Sequence, residues 1–377
     1  TVDYSLSTGG VQVDLSASTA TGGYAEGDVL SGVENIIGSE LNDTLAGDTA
    51  SNDLAGGAGA DMFAFKPNWG SDSITDFTGG VDKIDLTATG LQFSELTVEQ
   101  VGADTVVTYG TDSITLVGFS PAANLAETDF AFAPMIEGTS GNDVIVGTAA
   151  GERIEGLAGY DYLNGGVGAD TLDGGAGQDW ADYSTDTQGI SVNLGTGVNT
   201  GGDAEGDILL NIERVWGGAG NDTIVGSADT YVLRGGAGND SITGGAASEY
   251  LIGDSGADTL DGGAGNDWAD YSAETGAVNV NLATGVNTGS GAEGDVLLNI
   301  ERIHGGSGND TLTGSSTSYA IYGGAGDDQI IGGSANEYLQ GQAGNDVFVF
   351  GQAWGNDTVL DFTSGEDKLD LSGISLQ

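Results

Sequence analysis

The chain has 377 residues, with 70 glycines, three prolines and no cysteine. That much glycine argues against a helical or ordinary α/β core, since each interior glycine costs a helix about 1 kcal/mol, and without cysteine no disulfide contributes. Fifty-seven acids against seven bases give a formal charge of −50, which excludes nucleic acid as a partner, and no apolar run reaches the roughly 18 residues of a membrane span.

In chain order, residues 2–37 open a pattern that returns from Ala181 and from Ala269. Each copy has an alternating strand such as Ile190, Val192 and Leu194, then a glycine-rich loop and a second apolar run. We read the copies as strand-containing insertions that enlarge one coil of a repeat. The acids of their shared AEGD, Glu26 and Asp28, Glu205 and Asp207, Glu293 and Asp295, are candidates for an extra cation site, with a solvated loop as the alternative.

Nineteen nine-residue units fall in four blocks, 38–64, 138–182, 217–270 and 305–349. Block three reads GGAGNDTIV, GSADTYVLR, GGAGNDSIT, GGAASEYLI, GDSGADTLD, GGAGND. Glycine takes positive φ without steric penalty, so GGxG marks a tight turn, and the acid-x-aliphatic that follows is a short strand with one side chain turned inward. A unit this small cannot bury that side chain alone. Units therefore stack, two per coil, into an all-β parallel β-roll, a β-solenoid with core residues such as Ile224, Leu233, Ile242, Leu251 and Leu260.

In such a stack the sixth-position acids of units two apart converge with turn carbonyls into an all-oxygen cage suited to Ca2+. Thirteen sixth positions are aspartate: Asp43, Asp61, Asp143, Asp161, Asp170, Asp179, Asp222, Asp240, Asp258, Asp267, Asp310, Asp328 and Asp346. The other six, Asn52, Glu152, Tyr231, Glu249, Tyr319 and Glu337, all fall on even units. Each roll is expected to have a calcium-rich edge and a depleted one, with Tyr231 and Tyr319 packing against the turn. Without calcium, carboxylates in register repel, so folding is expected to depend on the metal.

These units resemble the hemolysin-type calcium-binding nonapeptide, the RTX family. The resemblance implies that carbonyls of the first and third turn residues of one unit, and of the second and fourth of its neighbour, complete each metal shell. Such carbonyls are those of Gly217 and Ala219 with Gly236 and Gly238; Gly235 and Ala237, and Gly323 and Ala325 with Gly324 and Gly326, are further turn residues of this kind. The run from Asp61, DMFAFKPNWGSDSITDF, returns from Asp346 as DVFVFGQAWGNDTVLDF, and both resemble the cap that closes serralysin-type rolls. A cap covers an otherwise open core and a pairing-competent edge.

The expected organisation is insertion-type strands plus a short roll in 1–64 and a serralysin-like β cap in 65–134. Rolls follow in 135–182, 217–270 and 305–349, separated by insertions 183–216 and 271–304, and 350–377 starts a second, truncated cap. The missing initiator Met and the break inside that cap suggest a segment of something longer.

No catalytic constellation emerges. His304, the only histidine, corresponds to Trp216 in the sibling copy and is read as structural, and Trp69, Trp180, Trp216, Trp268 and Trp354 are read as sealing core ends. The expected function is non-enzymatic: a calcium-binding structural region of a secreted or cell-surface bacterial protein, exported unfolded by type I secretion, as the resemblance implies. It would act as spacer, adhesin or matrix module, with itself or a surface glycan as further partners. The rival is an accessory module of a secreted enzyme.

Overall fold

The computed structural model describes residues 1–374, and the last residues of the expected second cap, 375–377, lie outside it. Among the described residues there is no α-helix; short strands, most of three residues, alternate with turns and seven one-turn 3-10 segments. The chain divides into two compact units, Thr1–Pro134 and Met135–Gln377.

In the second unit one parallel sheet of eleven strands runs from Val144–Val146 to Thr358–Val359. The remaining strands of the roll form sheets of four, five and six, plus a two-stranded pair of Ala158–Gly159 with Ala176–Gly177. Successive strands pair eighteen residues apart, with Thr223 against Ser241, Ile224 against Ile242 and Val225 against Thr243. That offset is two nonapeptides, so each coil uses one unit per face. The central residue of each strand points inward: Leu163, Ala181, Val215, Leu233, Leu251, Ala269, Ile303, Ile321 and Leu339 from the long sheet meet Ile224, Ile242, Leu260, Leu312, Ile330 and Phe348 in one core cluster, all fully buried. Each such Ile or Leu contributes roughly 1.5–3 kcal/mol, an upper bound because the unfolded chain already buries part of this surface.

The insertions explain why one face is continuous and the other is not. The chain leaves the long sheet at Trp180–Asp182, forms Ser191–Asn193 and Ile208–Leu210, and re-enters at Arg214–Trp216 beside the strand it left. Ser191–Asn193 opens the five-stranded sheet and Ile208–Leu210 closes the four-stranded one. The second insertion repeats this, Val296–Leu298 closing the five-stranded sheet and Val278–Asn281, with Thr288–Gly289 antiparallel at its outer side, opening the six-stranded one. Each insertion is thus one enlarged coil.

The first unit is a shorter roll of a seven-stranded and a six-stranded sheet. Its larger sheet ends in the antiparallel strands Thr97–Val101, Asp104–Tyr109 and Asp112–Leu116, the last pairing parallel with Ser71–Ile74. Phe63, Phe65, Trp69 and Phe77 are buried beneath, with Phe77 edge-on to Phe119. The outermost strand, Thr97–Val101, is mostly exposed and carries Glu99 and Gln100, polar side chains that discourage edge-to-edge pairing.

Candidate metal centre

The acid before each strand sits where the turn leaves its own N–H without a partner, and the stack supplies one. Asp222 N–H donates to Asp240 Oδ1 at 2.8 Å and Asp240 N–H to Asp258 Oδ1 at 2.8 Å. The same bond joins Asp310 to Asp328 (2.8 Å), Asp328 to Asp346 (3.0 Å), Asp143 to Asp161 (2.8 Å), Asp161 to Asp179 (2.8 Å) and Asp43 to Asp61 (2.9 Å). Glu152 to Asp170 (2.7 Å) and Glu249 to Asp267 (2.9 Å) follow suit. The structure therefore brings together all thirteen aspartates of the sequence reading in rows of stacked carboxylates. These acids are almost wholly buried, except Asp143 at the start of its row, which is half-buried.

One oxygen of each aspartate except Asp143 accepts an N–H from the coil before, as Ile190 donates to Asp222 and Asp222 to Asp240; the second depends on position. In the first acid of a row it accepts an N–H from its own turn: Gly218 to Asp222 (2.9 Å), Gly306 to Asp310 (2.7 Å), Thr139 to Asp143 (2.6 Å) and Ser39 to Asp43. Further along, the oxygen has nothing. Among the described residues eleven buried carboxylate oxygens lack a hydrogen-bond partner, including Oδ2 of Asp161, Asp170, Asp179, Asp240, Asp258, Asp267 and Asp328 and Oε2 of Glu249 and Glu337. An unsatisfied buried polar atom costs about 1–3 kcal/mol, and more when charged. Burial, reinforced by the charges of Asp222 and Asp258, pushes Asp240 up to about 7, and burial with Asp310 and Asp346 does the same to Asp328.

Turn carbonyls close on the same points. A Cβ added at Gly217 would collide with both Asp222 Oδ2 and the Gly235 carbonyl, and one at Gly305 with Asp310 Oδ2 and the Gly323 carbonyl. Gly236 and Gly238 hold φ of 113° and 137°, and Gly324 and Gly326 hold 109° and 116°, a region closed to most side chains. Among the described residues no three His, Cys, Asp or Glu gather into one metal-holding group. The donor set is two carboxylates plus backbone oxygens, which fits a hard cation such as calcium.

The rows continue through residues outside the nonapeptides. Asp170 N–H donates to Asp207, Asp258 to Asp295, Asp61 to Asp82, Asn52 to Asp72, Glu337 to Asp357 and Asp346 to Asp367. Every one of these acceptors begins an acid-x-aliphatic triplet, such as Asp207-Ile208-Leu209, the signal that a search for GGxG overlooks.

The AEGD expectation needs correction: its two acids do not converge. Glu205 and Glu293 bond the N–H of Gly201 and Gly289 in their own loops, whereas Asp207 and Asp295 end a row. Their second oxygen accepts a tyrosine hydroxyl, Tyr183 to Asp207 and Tyr271 to Asp295, both at 2.8 Å, as Tyr4 does for Asp28 at 2.9 Å. Burial raises Asp207 to about 7 and drives the Tyr183 hydroxyl well above its usual range.

Trp69 lies in the core of the first unit as expected, whereas Trp180 and Trp268 differ. Trp180 and Trp268 lie beside the core alanines Ala181 and Ala269 and so face outward from the long sheet. They are buried there by other rings, stacking on Tyr162 at 5.7 Å and Tyr250 at 5.8 Å. Tyr231 and Tyr319, which interrupt the acid row, lie edge-on to Tyr250 and Tyr338, with Arg214 at 5.1 Å and Arg302 at 4.8 Å over their rings. His304 packs against Trp268 and Tyr322, its Nδ1 3.6 Å from Asp270.

The depleted edge is not one edge. The long sheet receives Asp143, Asp161 and Asp179 from block two but Tyr231, Glu249 and Asp267 from block three. Block two has five units, an odd number, and each insertion leaves from and returns to the long sheet, so the full row changes sides at the first insertion. Block three has six, and the second insertion changes nothing.

Comparison with known families matches the RTX calcium-binding nonapeptide repeat over residues 30–63, 135–150, 146–181, 211–242, 232–260 and 243–273. The peptidase M10 serralysin C-terminal family matches residues 262–377. No curated protein matches. Among solved structures, the extracellular lipase LipA from Serratia marcescens is similar at 18% identity and a TM-score of 0.22, over 62% of this chain and 34% of that one. The chain thus spans about a third of that lipase.

Proposed function

Because the nonapeptide units of this chain are RTX repeats, which bind Ca2+, we propose that its rows of stacked aspartates hold calcium between successive coils. Asp43, Asp61, Asp143, Asp161, Asp170, Asp179, Asp222, Asp240, Asp258, Asp267, Asp310, Asp328 and Asp346 are the proposed carboxylate ligands. Turn carbonyls such as those of Gly217, Ala219, Gly235, Ala237, Gly236, Gly238, Gly323, Ala325, Gly324 and Gly326 supply the remainder. The observation that carries this is the set of buried carboxylate oxygens with no donor; a doubly charged ion satisfies them and removes the repulsion between neighbours. Repeats of this kind followed by a serralysin C-terminal domain are non-catalytic modules typical of type I secreted proteins. Outside the cell the chain serves as a calcium-folded spacer, adhesin or matrix module, with its own copies or a surface glycan as partners. The serralysin match favours one second reading, an accessory module of a secreted enzyme. The domain plan set out from the sequence, with rolls in 135–182, 217–270 and 305–349, belongs to the same proposal.

The test is a far-UV circular-dichroism titration with calcium, combined with ion counting. Strand signal is expected to rise cooperatively with the metal; a full strand signal under strong chelation at neutral pH, unchanged by calcium, defeats the reading.

A further inference from the structure

Within the nonapeptide blocks one arrangement recurs at the first glycine of a turn. A Cβ there would strike two oxygens at once, Oδ2 of the turn's own acid and the carbonyl of the coil that follows: Asp43 and Gly56 at Gly38, Asp222 and Gly235 at Gly217, Asp310 and Gly323 at Gly305. The same arrangement occurs twice where the following coil is not a nonapeptide. At Gly174 the two oxygens are Asp179 Oδ2 and the carbonyl of Asn211; at Gly262 they are Asp267 Oδ2 and the carbonyl of Asn299.

Asn211 and Asn299 belong to the insertions and hold φ of 51° and 50°. In that left-handed region asparagine is the usual substitute for glycine, so a turn without glycine still presents its carbonyl. Asp179 and Asp267 are 0% exposed, and Oδ2 of each has no hydrogen-bond partner. Their N–H groups donate to Glu213 Oε2 at 3.0 Å and Glu301 Oε2 at 3.1 Å, which seats a second carboxylate at each junction.

We propose that each insertion junction is itself a calcium site, built from Asp179, Glu213 and the Asn211 carbonyl at the first and from Asp267, Glu301 and the Asn299 carbonyl at the second. This rests on the reading that the aspartate rows hold calcium, and it extends that reading to turns with no GGxGxD. The opposite row shows what a closed end looks like, for there a tyrosine hydroxyl occupies the free oxygen of Asp207 and of Asp295. No such hydroxyl serves Asp179 or Asp267. One coil further on, Tyr231 and Tyr319 bring no carboxylate and lie beneath Arg214 and Arg302, so the row of ions ends at the junction. An ion here pins each insertion to the coil before it, which lets the eleven-stranded sheet cross both insertions unbroken.

The experiment counts calcium by equilibrium dialysis on the full chain and on the double variant Glu213→Gln with Glu301→Gln. The amide keeps an acceptor for the Asp179 and Asp267 N–H groups while removing the charge. The expected result is two fewer ions per chain with strand signal at saturating calcium unchanged. Asp240→Asn, outside the junctions, is expected to lose at least one ion. Undiminished binding in the double variant, with a loss in Asp240→Asn, overturns the junction sites and leaves the rows standing. An unmodified chain that binds no calcium overturns the underlying reading. Should the double variant not fold, terbium-soaked crystals of the unmodified chain decide. Anomalous density about 2.3–2.6 Å from Asp179 Oδ2 and the Asn211 carbonyl supports the proposal, and density at the regular turns alone refutes it.

Discussion

The turns entering the interrupted face of the second unit carry aspartate coil after coil, Asp222, Asp240, Asp258 and Asp295 in succession. Those entering the eleven-stranded sheet pass from Asp179 through Glu213 to Tyr231, where Arg214 lies over the ring. Both rows face the same difficulty, a backbone that forces like side chains together at strand spacing, about 4.8 Å. The first row keeps its carboxylates in register, and on the proposed reading a counter-ion from solution offsets them. The second drops a charge at intervals and puts a guanidinium stacked on aromatic rings in its place. A protein cation is always present, whereas a bound ion varies with its concentration, so aspartate rows that hold calcium, as proposed, make folding responsive to it.

Four experiments test that contrast, beginning with the largest effect. Chelating calcium at pH 7.5 is expected to abolish the strand signal, and acidification is expected to restore part of it. The sign follows from Asp240 and Asp328, raised from 3.8 to about 7 by burial and by neighbouring carboxylates. Groups raised in this way contribute stability that is complete below pH 4 and lost as pH climbs through 7. Metal-free protein should therefore hold more strand at pH 4 than at pH 7.5, and a circular-dichroism series in chelator that shows the reverse would contradict this.

Next, Asp240→Ala is expected to lower thermal stability in calcium by about 2.7 kcal/mol, the linkage contribution of one ion at a hundred times its dissociation constant. Tyr231→Ala should leave ion stoichiometry untouched. Equal ion loss from both would erase the distinction between the rows. Tyr183→Phe removes the hydroxyl that serves Asp207 Oδ2, and leaving that acceptor unpaired should cost about 1–3 kcal/mol in denaturant unfolding, with no change in ion count. A lost ion would mean that the row continues past Asp207. Smallest is Arg214→Gln, which gives up the stacking on Tyr231 and Trp180 for about 0.5–1 kcal/mol. Its loss should persist at saturating calcium; full rescue by calcium would mean that the guanidinium does not stand in for the ion.

The nonapeptide period by itself determined the roll, the inward column of Ile224, Leu233 and Ile242, and the convergence of Asp222 with Asp240. A repeat of nine leaves two units per coil, so residues eighteen apart have to meet. What the period could not carry was everything that happens where it stops. Glu213 and Asp207 extend opposite rows from the same insertion, and which face each joins depends on where the chain leaves and re-enters the long sheet. Only the folded coil decided that Asp207 meets Tyr183, that Trp180 lies outside the core, and that the aspartate-full row changes sides after a block of five. Local spacing dictates which side chains share a face, whereas the side on which that face lies is set by counting strands through segments that have no period.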